Sequence, residues 1–368
     1  MNVTEIAQKL IQFDTVTPKG SDCLDFIQIY LKSLEFEVHR LPFGQVDNLF
    51  ARKGTGNAHL MFVGHVDVVP PGNGWKHPPF AGSISNNHLY GRGAVDMKGA
   101  IAAFLAALPA LKSNGSVSIL LTTDEEGPAK DGIAKIVPWL QENGHVPTFA
   151  LVGEPTSVNT VADTIKNGRR GSISFDIISS GKQGHVAYPH LAQNAVNPLI
   201  ALLNSLISQP LDEGIDNFNP SNLEIVKLSV PNDVYNVIPG ISSASVNIRF
   251  NTLHSFKSLE EYITLEALKI KAQYGAENFL ITALPSAEPF ISNSSEWVGL
   301  VSKAVEKVTG ATPTCSTSGG TSDARFIHKL CPVVELGLLN KTAHHVDEHV
   351  SLADLICLEK IYQQIFQI

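Results

Sequence analysis

Continuous apolar runs alternate with helical patterns through the first 155 residues of the chain. Apolar runs at residues 59–64, 117–122 and 149–152 are typical of strands buried in a sheet. Between the first two, residues 98–112 are rich in Ala and Leu and predict a helix, although Pro109 favours an earlier end. Strands that alternate with helices in this way predict a layered α/β domain.

The middle of the chain has a different pattern, which predicts strand, helix, strand, strand, helix and strand in that order. This βαββαβ order is typical of the ferredoxin-like unit. The predicted strands span residues 172–179, 223–230, 243–250 and 279–284, and the predicted helices span residues 194–208 and 259–272. The first pattern then resumes. We therefore expect a mixed-sheet α/β domain, residues 1–170 and 286–368, interrupted by a smaller α+β domain, residues 171–285.

Length and composition agree with two folded domains. At about 150 residues per domain, 368 residues suggest two. Hydrophobic residues make up 43% and charged residues 17%, a balance that argues against a disordered chain. The net charge is −8, and no stretch concentrates basic residues, which disfavours nucleic acid or an anionic membrane as a partner.

The cysteines and the N-terminus indicate a cytoplasmic protein. Cys23, Cys315, Cys331 and Cys357 lie far apart and form no CxxC pair, so reduced thiols fit better than disulfides or a thiolate zinc site. The first ten residues carry an acid and no apolar signal-peptide core. The longest apolar run, residues 101–111, is too short to span a bilayer.

Candidate chemistry lies just beyond the predicted strands, where ligands of open α/β sheets collect. His65 follows the first strand, and the Asp67 carboxylate two residues later would hold the second nitrogen of its imidazole. The alternative is a structural histidine beside a turn. Asp124, Glu125 and Glu126 follow the next strand, and such neighbouring acids repel one another unless cations or protons neutralise them. The alternative there is a solvated acidic turn.

Other acids and imidazoles extend this set. Asp96 stands in a glycine-bounded loop directly before a helix, where the alternative role is to cap that helix, and Glu154 follows the third strand. His344, His345 and His349 come late in the chain, and their spacing does not decide which of them is a ligand. Carboxylates together with one imidazole per ion suit two divalent metal ions, with zinc preferred over cobalt or manganese.

A site of this type would serve hydrolysis. Two such ions lie about 3.5–4 Å apart, need a bridging carboxylate and share a water molecule whose pKa falls towards about 7. One further carboxylate must stay unligated in order to accept the proton of that water. A dinucleotide site is disfavoured because Gly91 and Gly93 lack the third glycine of that motif. A non-catalytic binding protein is also disfavoured. Such a protein would be indicated by the loss of a metal-binding side chain or of the unligated carboxylate, and none of these is missing.

Several segments resemble, in order and nearly from end to end, the di-zinc aminoacylase/carboxypeptidase family of metallohydrolases. These segments are HVDVVPPG (65–72), GRGAVDMKG (91–99), TTDEEGPAKDG (122–132), VGEPTS (152–157), NGRRGS (167–172), GKQGHVAYPH (181–190), NVIPG (236–240), SGGTSDARF (318–326) and NKTAHH (340–345). The fourth to sixth of them resemble more narrowly the members that remove the succinyl group of N-succinyl-LL-2,6-diaminopimelate.

The resemblance implies a complete set of metal ligands. Asp96 would bridge two zinc ions, with cobalt as the alternative metal. His65 and Glu154 would complete one metal site, and Glu126 and His344 would complete the other. The match to the family's T-x-H motif favours His344 over the histidine that follows it.

Three further expectations come from the same resemblance. Glu125 matches the general acid/base of the family, and Asp67 matches the residue that orients the His65 imidazole. The peptide bond after Asp96 would be cis. His185 would help to hold the developing oxyanion.

The resemblance also implies the assembly and the substrate contacts. Family members are homodimers joined through the inserted lid domain, from which His185 and Asn236 reach the active site of the partner subunit. The expected reaction releases succinate and LL-2,6-diaminopimelate in lysine and diaminopimelate biosynthesis; alternative activities within the family are acetylornithine deacetylase, aminoacylase and dipeptidase. The implied substrate-binding residues are Arg169, Arg249, Asn236, Tyr188, Ser172, Gly320, Thr321 and Asn340, whereas Arg170 fits a surface pairing.

Overall fold

The computed structural model describes residues 1–56, 58–111, 115–275, 278–292 and 294–367. The chain forms two compact units. The first unit consists of Met1–Gly168, Ile291–Ser316 and Ser322–Ile368, and the second consists of Arg169–Phe290 and Thr317–Thr321.

The units divide at 168/169 and 290/291, whereas the predicted domain boundaries are 170/171 and 285/286. Residues 317–321 were expected in the larger domain and instead pack with the second unit. The chain therefore enters the second unit twice. Five residues are too few to show a hydrophobic period, so the sequence pattern gave no sign of this second entry.

Helices and strands alternate along both units. The α-helices of the described residues are α1 Val3–Ile11, α2 Ser21–Ser33, α3 Lys98–Ala107, α4 Ile133–Glu142, α5 Val196–Ile207, α6 Phe256–Tyr274, α7 Ser295–Thr309, α8 Ala324–Ile327 and α9 Leu352–Ile365. Short 3₁₀ helices span Leu108–Ala110, Pro189–Leu191 and Asn340–Thr342. None of the helices in the described part of the chain has the length and apolar composition that a membrane span requires.

The strands are mostly short. They are β1 Glu37–Arg40, β2 Asn48–Lys53, β3 His59–His65, β4 Ser83–Ser85, β5 His88–Tyr90, β6 Ser116–Thr122, β7 Phe149–Val152, β8 Thr164–Lys166, β9 Gly168–Arg169, β10 Gly171–Ser180, β11 Gly184–His185, β12 Asn222–Ser229, β13 Val237–Ile238, β14 Ile241–Phe250, β15 Asn278–Ala287, β16 Phe290–Ile291, β17 Thr314–Ser316, β18 Val333–Glu335 and β19 His349–Ser351.

An eight-stranded mixed sheet organises the first unit, in the order β1-β2-β6-β3-β7-β18-β8-β17. The four central strands β6, β3, β7 and β18 are parallel to one another, whereas β1, β2 and β6 pair in antiparallel fashion. The central strands are almost wholly buried, as their continuous apolar runs predicted. The predicted α/β class with a mixed sheet is confirmed.

Helix α3 lies in the core of the first unit, where it packs against α1 and α9. All but one of its residues are buried, because Ala and Leu leave it with no polar face. The helix predicted over residues 98–112 ends early, at Ala107, and a 3₁₀ turn that contains Pro109 follows it. Lys112 lies outside the described residues.

The second unit contains a four-stranded antiparallel sheet in the order β12-β14-β10-β15, together with helices α5 and α6. Each of the six predicted elements is present, so the ferredoxin-like βαββαβ order is confirmed. Alternate residues of β10 and β14 point into its own core, where Phe175 and Val246 lie beside Leu202 of α5 and Ile263 of α6.

Candidate active site

Three neighbouring parallel strands of the large sheet end at the same edge. β3 lies between β6 and β7, and the last residue of β3, His65, pairs in register with Thr122 at the end of β6. The chain leaves β6 into Glu125 and Glu126, and it leaves β7 into Glu154. Parallel strands therefore bring an imidazole and these carboxylates to one edge, as expected for a ligand site.

His65 is directed at two carboxylates. Its Nδ1 donates a hydrogen bond to the backbone carbonyl of Asp67, at 2.9 Å. Its Nε2 consequently faces the Oδ1 atom of Asp96 at 3.3 Å and the Oε1 atom of Glu154 at 3.7 Å. His65 is buried, so the orientation of its ring is fixed by its surroundings.

A second imidazole approaches Asp96 from the other side. The Nε2 atom of His344 lies 3.2 Å from Asp96 Oδ2 and 2.8 Å from Glu126 Oε1. His344 has a left-handed backbone with φ of 63°, a conformation that non-glycine residues rarely adopt outside tightly held segments. The two oxygens of Asp96 thus face two different imidazoles.

The residues around Asp96 fit a pair of metal ions. The donor atoms of His65, Asp96 and Glu154 all lie within 4.8 Å of one another, as do those of Asp96, Glu126 and His344. Within the described residues, the buried His65 Nε2 and Asp96 Oδ1 atoms have no hydrogen-bond partner. Buried polar atoms of folded proteins are normally satisfied, and two cations that share Asp96 would satisfy both.

The pKa values of the titratable groups at this edge reflect the large number of carboxylates there. Hydrogen bonds to Asp96 and Glu126 raise the pKa of His344 to about 10. Burial alone would lower the pKa of His65, but Asp96 and Glu154 raise it well above its usual value. Burial and the nearby Asp96 raise the pKa of Glu154. Protons on the imidazoles therefore supply part of the positive charge that dications would supply.

Glu125 lies beside this cluster. A carboxylate oxygen of Glu125 lies within 4.8 Å of a ring nitrogen of His65 and of an oxygen of Glu126. Loss of hydration raises the pKa of Glu125 to about 8, and repulsion from Asp323 adds to the shift. A carboxyl group whose pKa is near neutrality can both accept and return a proton.

Asp67 differs from the expectation that its carboxylate holds the His65 ring. The Asp67 carbonyl accepts the Nδ1 hydrogen bond, whereas the Asp67 Oδ1 atom is 3.7 Å away. The carboxylate instead accepts the backbone N–H groups of Glu125 at 3.3 Å and Glu126 at 3.0 Å. The physical reason is that the Asp67 carbonyl lies nearer to the ring than the Asp67 carboxylate, which is occupied by the two N–H groups of the acidic loop. Asp67 therefore positions the acidic loop as well as the imidazole.

The structure also tests two alternative roles from the sequence analysis: capping of helix α3 by Asp96 and a purely structural role for the acids after β6. Helix α3 has Met97 at its N-cap position and no side-chain capping bond, so Asp96 does not cap it. The Asp96–Met97 peptide bond is cis, as the resemblance implied. Asp124 does have a structural role, because one of its oxygens accepts the N–H groups of Lys130 and Asp131.

The predicted substrate residues of the second unit fall into two groups. In the first group, Arg169 is buried and donates to the carbonyl of Ser318, so it lies beside the 317–321 segment that contains Gly320 and Thr321. Gly319 has a φ of 106°, a conformation that residues with a side chain rarely adopt, and a Cβ at this position would lie 2.6 Å from the Arg169 guanidinium.

On the sheet of the second unit, Ser172 of β10 pairs in register with Arg249 of β14. Burial and, to a lesser extent, the positive charge of the neighbouring Arg170 lower the pKa of Arg249. The Arg170 Nη1 atom donates to the side chain of Asn222 at 2.9 Å. Arg249 is thus a half-buried cation that is suited to a ligand anion.

The second group lies on the small β11–β13 pair of the same unit. His185 on β11 is followed by Tyr188, with 5.6 Å between the two ring centroids. Asn236 directly precedes β13, and its carbonyl accepts the N–H of Val186. The side chains of His185, Tyr188 and Asn236 are exposed. The remaining predicted contact, Asn340, belongs to the first unit and begins a 3₁₀ turn.

Sequence reasoning missed two buried acids near this site. Glu348 accepts hydrogen bonds from the loop that carries Asp96, and Asp323 has both carboxylate oxygens buried without a partner in the described residues. Asp323 lies within the SGGTSDARF segment, and Glu348 lies between His345 and His349. His349, in contrast, packs against Tyr90 with 4.9 Å between ring centroids and is not part of the cluster.

Curated proteins of known name are similar to the chain over nearly its whole length. The succinyl-diaminopimelate desuccinylase of Rhizorhabdus wittichii is 46% identical over 367 residues, which covers 98% of this chain and 96% of that protein. The protein of the same name from Ehrlichia chaffeensis is also 46% identical, over 369 residues, with the same coverage.

Solved structures share the fold at low identity. A tripeptidase from Staphylococcus aureus matches with a TM-score of 0.83 at 18% identity, covering 100% of this chain and 97% of that one. The YXEP protein of Bacillus subtilis, described as a dinuclear metal binding peptidase, matches with a TM-score of 0.74 at 15% identity, covering 99% and 96%. The model of peptidase family M20/M25/M40 matches residues 61–367. The predicted metallohydrolase resemblance is thereby confirmed, and the chain belongs to peptidase family M20/M25/M40.

Proposed function

We propose that this protein hydrolyses the succinyl amide of N-succinyl-LL-2,6-diaminopimelate to succinate and LL-2,6-diaminopimelate, in the biosynthesis of diaminopimelate and lysine. The observation that carries the proposal is Asp96, whose two oxygens lie 3.3 Å from His65 Nε2 and 3.2 Å from His344 Nε2. Near-complete similarity to relatives named succinyl-diaminopimelate desuccinylase supports the choice of substrate.

The proposed cofactor is a pair of divalent metal ions, with zinc preferred and cobalt as the alternative. His65, Asp96 and Glu154 would hold one ion, and Asp96, Glu126 and His344 would hold the other. Mixed imidazole and carboxylate donors favour zinc over the harder magnesium and calcium ions. When bound, the two cations would supply a Lewis acid for the acyl carbonyl and acidify a water molecule.

Glu125 is proposed as the general acid/base. Its carboxylate accepts a proton from the attacking water and then returns that proton to the nitrogen of the leaving amine. Asp67 holds the backbone N–H groups of Glu125 and Glu126, which fixes the start of the acidic loop. A pKa raised by lost hydration falls again beside cations, so Glu125 stays within the range that both proton transfers need.

Cationic residues are proposed to recognise the carboxylates of the substrate. Arg169 and Arg249 supply guanidinium groups that can bind carboxylates in two-pronged fashion, and the positive charge of Arg170 lies close to that of Arg249. His185 is proposed to help hold the developing oxyanion, which its exposed position permits. The remaining proposed contacts are Ser172, Tyr188, Asn236, Gly320, Thr321 and Asn340.

A homodimer formed through the second unit is part of the proposal. Strand β12 is at the edge of its sheet, and its backbone on one side lacks a neighbouring strand in the described residues. Ile225, Val226 and Leu228 on this strand are 37%, 59% and 61% exposed. An exposed apolar edge strand is suited to pairing with another chain, and a second copy is the occupant that we propose.

We also propose the cytoplasm as the location. Cys23, Cys315, Cys331 and Cys357 are all free thiols in the structure. Unpaired cysteines persist most readily in a reducing compartment, which supports this proposal.

Metal analysis and substrate comparison together test the function. The purified protein is expected to contain two zinc ions per chain, and chelation is expected to abolish release of amine from the succinylated substrate. The specificity constant kcat/KM for N-succinyl-LL-2,6-diaminopimelate should exceed those for N-acetylornithine and simple dipeptides by at least tenfold, equivalent to about 1.4 kcal/mol. A higher kcat/KM for either competitor would show that the proposed substrate is wrong. The conclusion that the protein is a metal-dependent amide hydrolase would still hold. Full activity after complete removal of metal would overturn the mechanism.

A further inference from the structure

A buried ion pair lies behind the proposed metal centre in the first unit. Arg92 is 2% exposed and Glu348 is fully buried, and the Arg92 Nη1 atom donates to Glu348 Oε2 at 2.7 Å. The two residues are 256 positions apart in the chain. Neither residue belongs to the proposed set of ligands, although each lies within four positions of one of them.

Glu348 holds the loop that carries Asp96. Its Oε1 atom accepts the N–H groups of Val95 at 2.8 Å and Asp96 at 3.2 Å. Its Oε2 atom accepts the N–H of Gly93 at 3.2 Å, in addition to the Arg92 guanidinium. A carboxylate with two accepted bonds on each oxygen is well satisfied, so this part of the Asp96 loop is tied to one side chain.

Arg92 holds the backbone at His344. The carbonyl of His344 accepts a hydrogen bond from Arg92 Nη2 at 3.3 Å, and the carbonyl of His345 accepts one from Nη1 at 3.1 Å. These carbonyls follow the unusual left-handed backbone of His344. Nη2 also donates to the carbonyls of Pro70 and Pro71, in the segment that follows His65 and Asp67.

We propose that Arg92 and Glu348 are positioning residues that set the separation between Asp96 and His344, and through it the affinity and spacing of the two metal ions. The pair joins the three segments that supply His65, Asp96 and His344, and its planar guanidinium can reach several carbonyls at once. Residues behind a metal site that orient its ligands commonly change metal affinity about 10–100-fold when they are altered. The inference rests on the proposed metal centre and adds to it the residues that hold its ligands in register.

The test compares Glu348→Gln with Asp163→Asn. The amide of E348Q presents an NH₂ group to the Gly93 N–H and the Arg92 guanidinium, so donors oppose donors and the loop has to shift. Asp163 is a matched control, because it also accepts three backbone N–H groups, those of Val158, Asn159 and Thr160, in a loop without proposed ligands. Zinc affinity is measured by competition between the metal-free protein and a chelating dye.

E348Q is expected to lose about 10–100-fold in affinity for at least one zinc ion, whereas D163N stays within twofold of the unaltered chain. With saturating metal, E348Q should lower kcat more than it raises KM, and the visible absorption spectrum of its cobalt-loaded form should shift. Thermal unfolding of the metal-free variants reports how much each change merely loosens the fold. An equal loss of zinc affinity in D163N would overturn the inference.

Arg92→Lys provides the second variant if E348Q does not fold. Lysine keeps the charge opposite Glu348 but cannot donate to four carbonyls, so a smaller loss of zinc affinity in the same direction is expected. Retention of both zinc affinities within twofold in a folded E348Q or R92K protein would refute the positioning role while leaving the proposed function intact. Failure of the unaltered chain to bind zinc would remove the proposed function and this inference together.

Discussion

The two units present opposite kinds of charge. In the first unit, Asp96 and Glu154 lie close to the imidazole of the buried His65, and loss of hydration raises the pKa of Glu125 to about 8. In the second unit, Arg249 lies beside another arginine on a half-exposed sheet surface. This difference agrees with the proposal that cations bind to the acidic cluster of the first unit and that substrate carboxylates bind to the arginines of the second.

The largest expected effect is at Glu125. If this residue moves the protons, Glu125→Ala will lower kcat by about 10²–10⁴-fold and leave both metal ions bound. The same change at Glu142, an exposed acid at the end of α4, is the control and should leave kcat unaltered. Steady-state kinetics and metal content measure the two quantities. Near-normal turnover in the Glu125 variant would contradict the proposed role of Glu125 as general acid/base, because Glu125 would then contribute no more to catalysis than a surface acid.

The second prediction concerns the positive charge of the second unit and is measured as the KM for the substrate. Arg249→Ala is expected to raise KM about tenfold to hundredfold, since a hydrogen bond to a charged group contributes about 1.5–3 kcal/mol. Arg170 already donates to Asn222, so Arg170→Ala should change KM by less than about threefold. Kinetics with the succinylated substrate measure both variants. Equal effects would mean that the total positive charge matters, rather than a specific contact by Arg249.

The pH dependence of stability tests the buried acids without any substrate. In the metal-free protein the pKa of Glu125 is raised from 4.5 to about 8. Between these values the folded state keeps a proton that the unfolded state releases, so the free energy of unfolding falls as pH rises through this window. Glu125→Gln removes this difference of at most one bound proton. The slope of unfolding free energy against pH should therefore become less steep by at most about 1.4 kcal/mol per pH unit.

Urea unfolding of chelated protein between pH 5 and 8 measures this slope. Glu142→Gln is the matched control and should keep the slope of the unaltered chain, because that side chain is exposed. An unchanged slope in Glu125→Gln would show that Glu125 is hydrated like a surface acid.

The smallest effect is expected at His345. Its neighbour His344 contacts Asp96 and Glu126, so His344→Ala should reduce the bound metal from two ions to one per chain. His345→Ala is expected to change metal content and activity by less than about twofold, as is usual for exposed positions. Loss of metal in the His345 variant would reverse the ligand assignment on this side of Asp96.

Local pattern determined much of the architecture. The apolar runs of β3, β6 and β7 predicted buried strands to within one residue, and the six elements of the second unit followed from alternation and helical period. These features depend on near neighbours in the chain, which is why sequence alone contains them. The acids and His65 at the strand ends were visible for the same reason, because parallel strands bring their carboxyl ends to one edge.

Only the tertiary structure decided how distant groups meet. Which imidazole faces Glu126 depended on the backbone turn at His344, and the bond from His65 goes to the carbonyl of Asp67 rather than to its carboxylate. The pairing of Arg92 with Glu348 gave no periodic signal, because it joins loops 256 residues apart. Hydrogen-bond partners across such separations are set by packing of the whole unit, and a one-dimensional pattern contains no distance between them.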